Sequence, residues 1–358
     1  MFFLWLNADS DQLLLSDRFW WETYGDCIDL ILLEHFFLPF AMGDVNQSLQ
    51  FSDTDEAPPT PTVALTMSSL TAGQWEWLSD TPSLLPPHSN AESYYSHFGR
   101  TVGFTSGAGR RFRGALDEHL QMLRWPEGMK DKELSIRGED GCLYHWILPS
   151  FFQLLKDLTQ EGLDFAVVFR TFGTDLPRVL RAMSRVLQEG LHPLFPDLPE
   201  LKLSVDVDPG DISSSRKGVV LTRGDLSRSS RDGERSLYQY LSSLEGLGGF
   251  RDNFEWWAAN KYSSRGGKPL WIDPFDQQVQ HIFIDDNIRQ NDEDTVVNPK
   301  VFLDPGGSET RTACTSELYD IALIQNDLLR AISDRSYFTQ RIHICMENYD
   351  RNLQQGAG

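Results

Sequence analysis

The apolar segment at 281–284 (His-Ile-Phe-Ile), which ends abruptly in the adjacent carboxylates Asp285 and Asp286, constrains the fold of this chain most. A short apolar run bounded by polar residues is typical of a buried strand in a parallel sheet. Ligands of open α/β sheets bind just beyond the carboxyl ends of such strands. Two adjacent like charges there favour a cation, and Mg²⁺ prefers carboxylate and phosphate oxygens. The alternative interpretation is a strand followed by an acidic turn.

Strands alternate with helices over the second half of the chain, which predicts an α/β fold with a parallel sheet. The Ser/Gly/Arg-rich segment 202–232 is predicted to be an excursion from this pattern. The predicted strands are 2–6, 165–169, 268–272, 281–284 and 301–303, and the predicted helices are 114–123, 148–160, 176–187, 236–244, 253–260, 316–333 and 337–353.

Composition excludes several classes of protein. The 358 residues carry a formal net charge of −20, which opposes binding to nucleic acid and to anionic membrane surfaces. The largely apolar segment 27–42 contains charged residues and a proline, and it is shorter than the roughly 20 residues that cross a bilayer. The four cysteines are scattered without zinc-ligand spacing or a disulfide framework, so a reducing, cytoplasmic setting is expected. Oligomeric state is not predicted.

Polar residues at the other strand ends supply further parts of a site. The first strand runs into Asp9-Ser10-Asp11, a second pair of carboxylates. In metal-assisted phosphoryl transfer, one Asp attacks phosphorus, and a second Asp two residues on protonates the leaving oxygen and later deprotonates water. We therefore predict Asp9 as nucleophile, Asp11 as acid and base, and all four carboxylates as Mg²⁺ ligands. Solvated turn residues are the alternative.

A hydroxyl and a cation complete the pattern. The strand at 165–169 runs into Arg170-Thr171-Phe172-Gly173, and Lys268 stands in a Gly-Gly-Lys-Pro turn before its strand. Thr171 and Lys268 are predicted to neutralise phosphoryl oxygens. Arg170 and Gly173 are predicted to contact the substrate. Each of these residues also has a structural alternative: Thr171 could cap a helix, Arg170 could be a salt-bridge partner and Lys268 could be a surface lysine.

These motifs, in this order, resemble the haloacid dehalogenase superfamily. The fourth motif is Ile284-Asp285-Asp286, the second is the strand from 165 with Thr171 and Gly173, and Lys268 suits the third. A narrower resemblance is to an uncharacterised eukaryotic branch of that superfamily, and it is carried by segments 147–152, 168–176, 267–270 and 284–288. The resemblance extends over about 145–305.

The resemblance implies a Rossmann-like parallel sheet flanked by helices, with a mostly helical cap inserted after the first motif. On this basis residues 1–17 and 145–358 would form the core, and 18–144 the cap, with a disordered stretch near 44–62. It also implies an Mg²⁺-dependent phosphatase-like hydrolase acting through an aspartyl-phosphate intermediate on a small phosphorylated substrate.

The first motif departs from the family pattern Asp-x-Asp-x-Thr. Aligning Asp9 with the nucleophile places Leu13 where Thr is expected, while two other registers place Asn7 or Ala8 at the nucleophile position. In either of those registers the aspartyl intermediate does not form. The alternative function is therefore a catalytically inactive protein of the same fold that binds a ligand or another protein. In a third interpretation, the acidic residues are incidental to a structural interaction protein.

Overall fold

The computed structural model describes residues 2–6, 113–138, 140–290 and 295–356; the side chains at 2–6, 113, 116 and 353–356 are not described. Within these ranges the chain is a mixed α/β protein. Asp9, Asp11, the predicted disordered stretch at 44–62 and most of the predicted cap lie outside the described residues.

From about residue 143 onward helices and strands are mixed, with two runs of consecutive strands, at 210–229 and at 268–312. The strands are β1 (Phe2–Leu6), β2 (Ser135–Arg137), β3 (Leu143–His145), β4 (Phe165–Thr171), β5 (Gly210–Ser215), β6 (Gly218–Arg223), β7 (Leu226–Ser229), β8 (Gly246–Asp252), β9 (Lys268–Ile272), β10 (Gln280–Asp285), β11 (Val297–Phe302), β12 (Thr310–Thr312) and β13 (Leu323–Gln325). The α-helices are α1 (Arg113–Met122), α2 (Pro149–Gln160), α3 (Leu176–Glu189), α4 (Glu234–Ser242), α5 (Phe254–Ala259), α6 (Thr315–Leu318), α7 (Leu328–Ser333) and α8 (Tyr337–Gly356).

The main sheet has eight strands in the order β13-β10-β1-β4-β8-β5-β6-β7. The first six are parallel neighbours, and β6 and β7 continue the sheet as antiparallel strands. Because all residues of β4 and of β10 are buried, these strands lie in the interior of the molecule. The carboxyl ends of the parallel strands meet along one edge of the sheet.

Helices α2 and α3 form because apolar residues recur at helical spacing along each. The apolar face of α2 is fully buried, and α3 buries a similar stripe. Each helix has a proline in its first turn, where a missing N–H costs little, and α3 ends at Gly190 in the left-handed conformation. These helices pack on the sheet, with Phe151 of α2 against Phe169 of β4 and Leu176 of α3 against Gly249 of β8.

A second, three-stranded sheet holds β9. It has the order β12-β11-β9, with β9 parallel to β11 and Lys268 aligned with Val297. The Lys268 amide donates to the carbonyl of Val296 at 2.6 Å. Gly267 is needed here because a Cβ at this position would lie 2.6 Å from the Val296 carbonyl oxygen. The start of β9 is therefore positioned by β11.

Several predicted elements differ from the structure. The predicted helix at 316–333 is wrong: α6, the strand β13 and α7 occupy that region, and Asp320 interrupts it with a positive φ of 60°. The predicted excursion at 202–232 contains β5, β6 and β7 of the main sheet. Strand β8 has no counterpart among the predicted strands. The predicted strand at 301–303 begins earlier, at Val297.

The chain divides into two compact units. One comprises residues 1–9, 126–136 and 145–358 and contains both sheets described above; the other comprises 10–125 and 137–144, of which 113–125, 137–138 and 140–144 are described. The predicted core and cap boundaries stay predictions. No helix in the described part of the chain is long and apolar enough to span a bilayer.

Candidate functional site

The strand ends that carry the predicted residues are neighbours along one edge of the main sheet. Strand β1 lies between β10 and β4, with Leu6 aligned with Ile284 on one side and with Phe169 on the other. Asp285 follows Ile284 at the end of β10, and Arg170 and Thr171 follow Phe169 at the end of β4. The edge therefore presents charged and hydroxyl groups on both sides of β1.

Lys268 and Asp285 form an ion pair in the interior. The ammonium Nζ lies 3.5 Å from Asp285 Oδ2, and both side chains have no solvent-exposed surface. Charge-assisted hydrogen bonds are normally about 2.7–2.9 Å long, so this contact is loose. Asp285 is further held by the Asn287 amide, which donates to Oδ1 at 2.8 Å. The carboxylate is thus fixed on one oxygen and loosely paired on the other.

The remaining contacts of the Lys268 ammonium are also weak. It donates to the carbonyl oxygen of Arg170 at 3.4 Å and lies 4.6 Å from the ring centroid of Phe172. An ammonium group has three donors, and both acceptors here are at the limit of hydrogen-bond length. Because a buried charge requires close partners, Lys268 has capacity for a further anionic or oxygen-bearing group.

Arg170 and Asp252 form a second buried ion pair beside the first. Arg170 donates through Nε and Nη2 to both oxygens of Asp252, the Nε contact being 2.5 Å, and through Nη1 to the Pro269 carbonyl at 3.3 Å. Arg170 is completely buried. Its salt bridge therefore joins the ends of β4 and β8 to β9, next to Lys268. We call Arg170, Asp252, Lys268 and Asp285 the buried network.

Burial dominates the electrostatics of Asp252. Loss of hydration raises the pKa of its carboxyl, while the charges of Arg170 and Lys268 oppose this rise and that of Asp285 adds to it. Because the guanidinium contacts both oxygens, the pair resembles the bidentate arrangement that best offsets desolvation. Arg170 thus serves as the salt-bridge partner considered from the sequence, and its predicted contact with a substrate stays a prediction.

Thr171 organises the loop that follows β4. Its hydroxyl accepts the Gly173 amide at 2.8 Å and donates to Asp175 Oδ1 at 3.5 Å. Asp175, and not Thr171, occupies the N-cap position of α3. The side chain of Thr171 is completely buried, so its hydroxyl faces the loop interior. The loop from Thr171 to Asp175 is therefore closed upon itself by its hydroxyl and amide groups.

Asp286 lies at the half-buried start of the turn after β10. The Asn287 side-chain amide donates to its Oδ1 at 3.4 Å, and Asn287 is itself buried. Asp285 and Asp286 supply adjacent carboxylates, which suits the oxygen preference of Mg²⁺. Within residues 2–6, 113–138, 140–290 and 295–356 there is no group of three or more His, Cys, Asp or Glu side chains placed to hold a metal ion. Among the described residues, the two carboxylates alone do not make up a Mg²⁺ site.

The structure brings some of the predicted residues together. Lys268 contacts Asp285, and it reaches the backbone of Arg170, one residue before Thr171. The predicted nucleophile Asp9 and acid/base Asp11 lie outside the described residues.

Asp252 is the residue that the sequence patterns do not reveal. It ends β8, whose Gly-Leu-Gly-Gly start lacks the β-branched residues typical of a strand. The glycines have a packing reason, since a Cβ at Gly249 would lie 2.6 Å from Leu176 and 3.0 Å from the Phe169 carbonyl oxygen. One sequence signal could have indicated Asp252: it is a carboxylate that follows Phe250-Arg251, as would be expected at the end of a further strand.

Comparison with protein-family models, with curated proteins and with solved structures finds no match to this chain.

Proposed function

We propose that this protein is an Mg²⁺-dependent phosphatase-like hydrolase of the haloacid dehalogenase type, acting on a small phosphorylated substrate in the cytoplasm. The parallel strands from β13 to β8 would then belong to its Rossmann-like core, and residues 18–144 would form its cap. The observation that carries the proposal is the Lys268 ammonium. It is completely buried at the strand edge and holds its two acceptors at only 3.4 and 3.5 Å. A phosphoryl oxygen is the type of group that would complete its coordination.

In the proposed reaction, a carboxylate oxygen of Asp9 forms a bond to phosphorus while the bond from phosphorus to the leaving oxygen breaks. Asp11 gives its proton to that leaving oxygen. Asp11 then takes a proton from water, whose oxygen attacks phosphorus and releases inorganic phosphate and the Asp9 carboxylate. Thr171 and Lys268 neutralise the phosphoryl oxygens during both steps.

Asp285 and Asp286 would hold Mg²⁺ together with Asp9 and Asp11. The ion supplies charge that stabilises the phosphoryl group. Arg170 and Asp252 would keep Lys268 in place, because Arg170 contacts the backbone of β9 one residue after Lys268.

The test is release of phosphate from p-nitrophenyl phosphate with Mg²⁺ or with a chelator. We expect Asp9→Asn to reduce kcat by at least about 100-fold, since it removes the nucleophile. Asp17→Asn, a neighbouring change outside the motif, is the matched control and should keep the wild-type rate. Equal rates for wild type and Asp9→Asn would exclude Asp9 as the nucleophile.

A catalytically inactive protein of the same fold is the second candidate. It is favoured by Leu13, which replaces the threonine of the first motif, and by the registers that place Asn7 or Ala8 at the nucleophile position. This candidate predicts no phosphate release. It also predicts that phosphate or vanadate with Mg²⁺ raises the melting temperature and that Lys268→Met abolishes this rise.

A further inference from the structure

We propose that four aromatic side chains beside the buried network bind a planar aromatic group of the substrate, so that the preferred substrates are aryl phosphate monoesters. The four residues are Phe172, Phe254, Trp257 and Tyr262, and we call them the aromatic wall. The inference rests on the proposed phosphate site, since it assigns the non-phosphate part of the same ligand.

The aromatic wall is a continuous cluster of rings. Phe172 stacks on Trp257 with ring centroids 5.4 Å apart and planes 15° apart. Phe254 meets Phe172 edge-on at 5.7 Å, and Tyr262 meets Trp257 edge-on at 5.3 Å. Phe254 and Tyr262 lie 6.2 Å apart with a 47° tilt. These separations are typical of interacting aromatic pairs, so the rings support one another as a rigid surface.

The wall is connected directly to the proposed phosphate-binding groups. Phe172 follows Thr171 in the sequence, and its ring centroid lies 4.6 Å from the Lys268 ammonium. The same ammonium lies 3.5 Å from Asp285. A ligand whose phosphate contacts Lys268 therefore has the ring of Phe172 as an immediate neighbour.

One ring of the aromatic wall is buried and the other three are partly accessible to solvent. Trp257 is completely buried, whereas Phe254 is 36% exposed and Phe172 and Tyr262 are half-buried. The indole N–H of Trp257 has no acceptor within hydrogen-bond distance among the described residues. In a purely structural cluster the buried indole N–H would normally have an acceptor. Partial exposure of three aromatic rings instead offers a flat apolar surface to a ligand.

Tyr262 lies in a strained turn that its contacts with this cluster maintain. Lys261 and Tyr262 are consecutive non-glycine residues with φ of 56° and 58°. This left-handed conformation is unfavourable for bulky side chains and persists only where surrounding contacts impose it. The Tyr262 amide donates to the Trp257 carbonyl at 3.0 Å, which closes the turn after α5. Strain of this kind is concentrated at ligand-binding sites.

An aromatic ligand also suits the charge of the protein. The net charge of −20 disfavours a phosphorylated compound at long range. Contact between an aromatic group and the wall supplies affinity that does not depend on charge. An alkyl phosphate presents no π-face and gains little from these rings.

The experiment compares binding of 1-naphthyl phosphate and of glycerol 2-phosphate to the full chain carrying Asp9→Asn, which is expected to leave the ligand intact, by calorimetry in the presence of Mg²⁺. Phosphate release is measured with the wild-type chain. We expect naphthyl phosphate to bind about tenfold more tightly than the alkyl ester. Phe254→Leu, which keeps apolar volume but removes the ring, and Phe254→Ala should each remove most of this preference. Phe275→Ala changes another exposed phenylalanine and should leave it unchanged.

The outcomes separate the two proposals. Preferential binding without phosphate release supports the aromatic wall while the hydrolase assignment fails. Release of phosphate from both compounds at equal efficiency supports the hydrolase and overturns the wall. Equal binding of the two compounds, binding of neither, or a preference that survives both Phe254 variants also overturns the wall.

Discussion

At the scale of single residues, the Lys268–Asp285 pair gives the sharpest prediction. Lys268→Met leaves Asp285 buried without its counter-charge, and breaking a buried pair in this way costs about 3–5 kcal/mol. We expect the free energy of unfolding to fall by that amount, and Asp285→Asn alone to reduce it as well. In the double variant no uncompensated charge remains, so it should be more stable than the sum of the single effects predicts.

Urea denaturation of the four proteins measures this coupling. Lys300→Met is the matched control, because Lys300 pairs with Glu234 at 3.2 Å but is partly exposed. It should lower the free energy of unfolding by no more than about 1 kcal/mol. Strict additivity of Lys268→Met and Asp285→Asn would contradict an interaction between the two charges.

The residues of the site differed in how visible they were in the sequence. Asp285 was predicted because it ends an apolar strand, and Lys268 because of its place in the order of the motifs. The partner of Arg170 was not identified, because Asp252 lies 82 residues further along the chain and such pairing follows only from the fold. Whether Thr171 caps a helix or closes its own loop likewise depends on backbone dihedrals that its residue type does not determine.

At the scale of elements, the start of β9 depends on a glycine. A Cβ at Gly267 would lie 2.6 Å from the Val296 carbonyl oxygen, which is backbone of the neighbouring chain segment and yields little. We expect Gly267→Ala to lower the free energy of unfolding by about 1–3 kcal/mol, the usual cost of overpacking. Because Lys268 follows directly, the variant should also weaken the phosphate-dependent rise in melting temperature.

Gly114→Ala provides the control for this substitution. Gly114 lies in α1, and nothing is within 4 Å of its Cβ position. Alanine is favoured over glycine in a helix, so this variant should be neutral or more stable by about 0.5–1 kcal/mol. Thermal and urea unfolding of both variants test the prediction. A Gly267→Ala protein as stable as wild type would mean that β9 and β11 have room to separate.

The elements also show where sequence periodicity is informative. The sequence predicted strands β4 and β10 and helices α2 and α3 closely. Each of them has a run or a periodic pattern of apolar residues that indicates both its secondary structure and its buried face. The region at 316–333 was not, because β13 is only three residues long and its apolar residues also fit a helical spacing. Its strand conformation is determined by pairing with β10, a contact that local sequence does not encode.

At the scale of the whole molecule, three buried histidines make stability depend on pH. Burial lowers the pKa of His145 to about 4, that of His192 to about 3 and that of His281 to about 4. Arg335 adds to the effect at His145 and His192, whose rings stack 5.1 Å apart. His281 is held neutral with one ring nitrogen 2.7 Å from the Trp271 carbonyl and the other 3.1 Å from the Ser242 hydroxyl.

The sign follows from the unfolded state, where histidine titrates near pH 6.5. Above that pH both states are neutral and stability is complete. As the pH falls below 6.5, the unfolded chain takes up protons that the folded protein does not, so stability is lost progressively towards the folded pKa values. We expect a loss of about 2 kcal/mol per buried histidine at about pH 5.

Urea denaturation between about pH 7.5 and 5 tests this expectation, because carboxylates contribute mainly below that range. His281→Gln should reduce the pH dependence, whereas His119→Gln, in α1 and half-exposed, should not change it. A free energy of unfolding that is constant over this range would show that the three imidazoles are not kept neutral by the fold.

The loose buried pair of Lys268 and Asp285 also has a consequence for descent. Loss of either charge alone leaves the other buried without a counter-charge, which destabilises the protein. A protein that no longer needs the two residues for catalysis therefore cannot lose them one at a time without a loss of stability. Relatives are therefore expected to retain both or to replace both together, even where the first motif has decayed. Under the proposed function, the need to keep both charges for folding would preserve the pair even in a protein that no longer catalyses phosphate release.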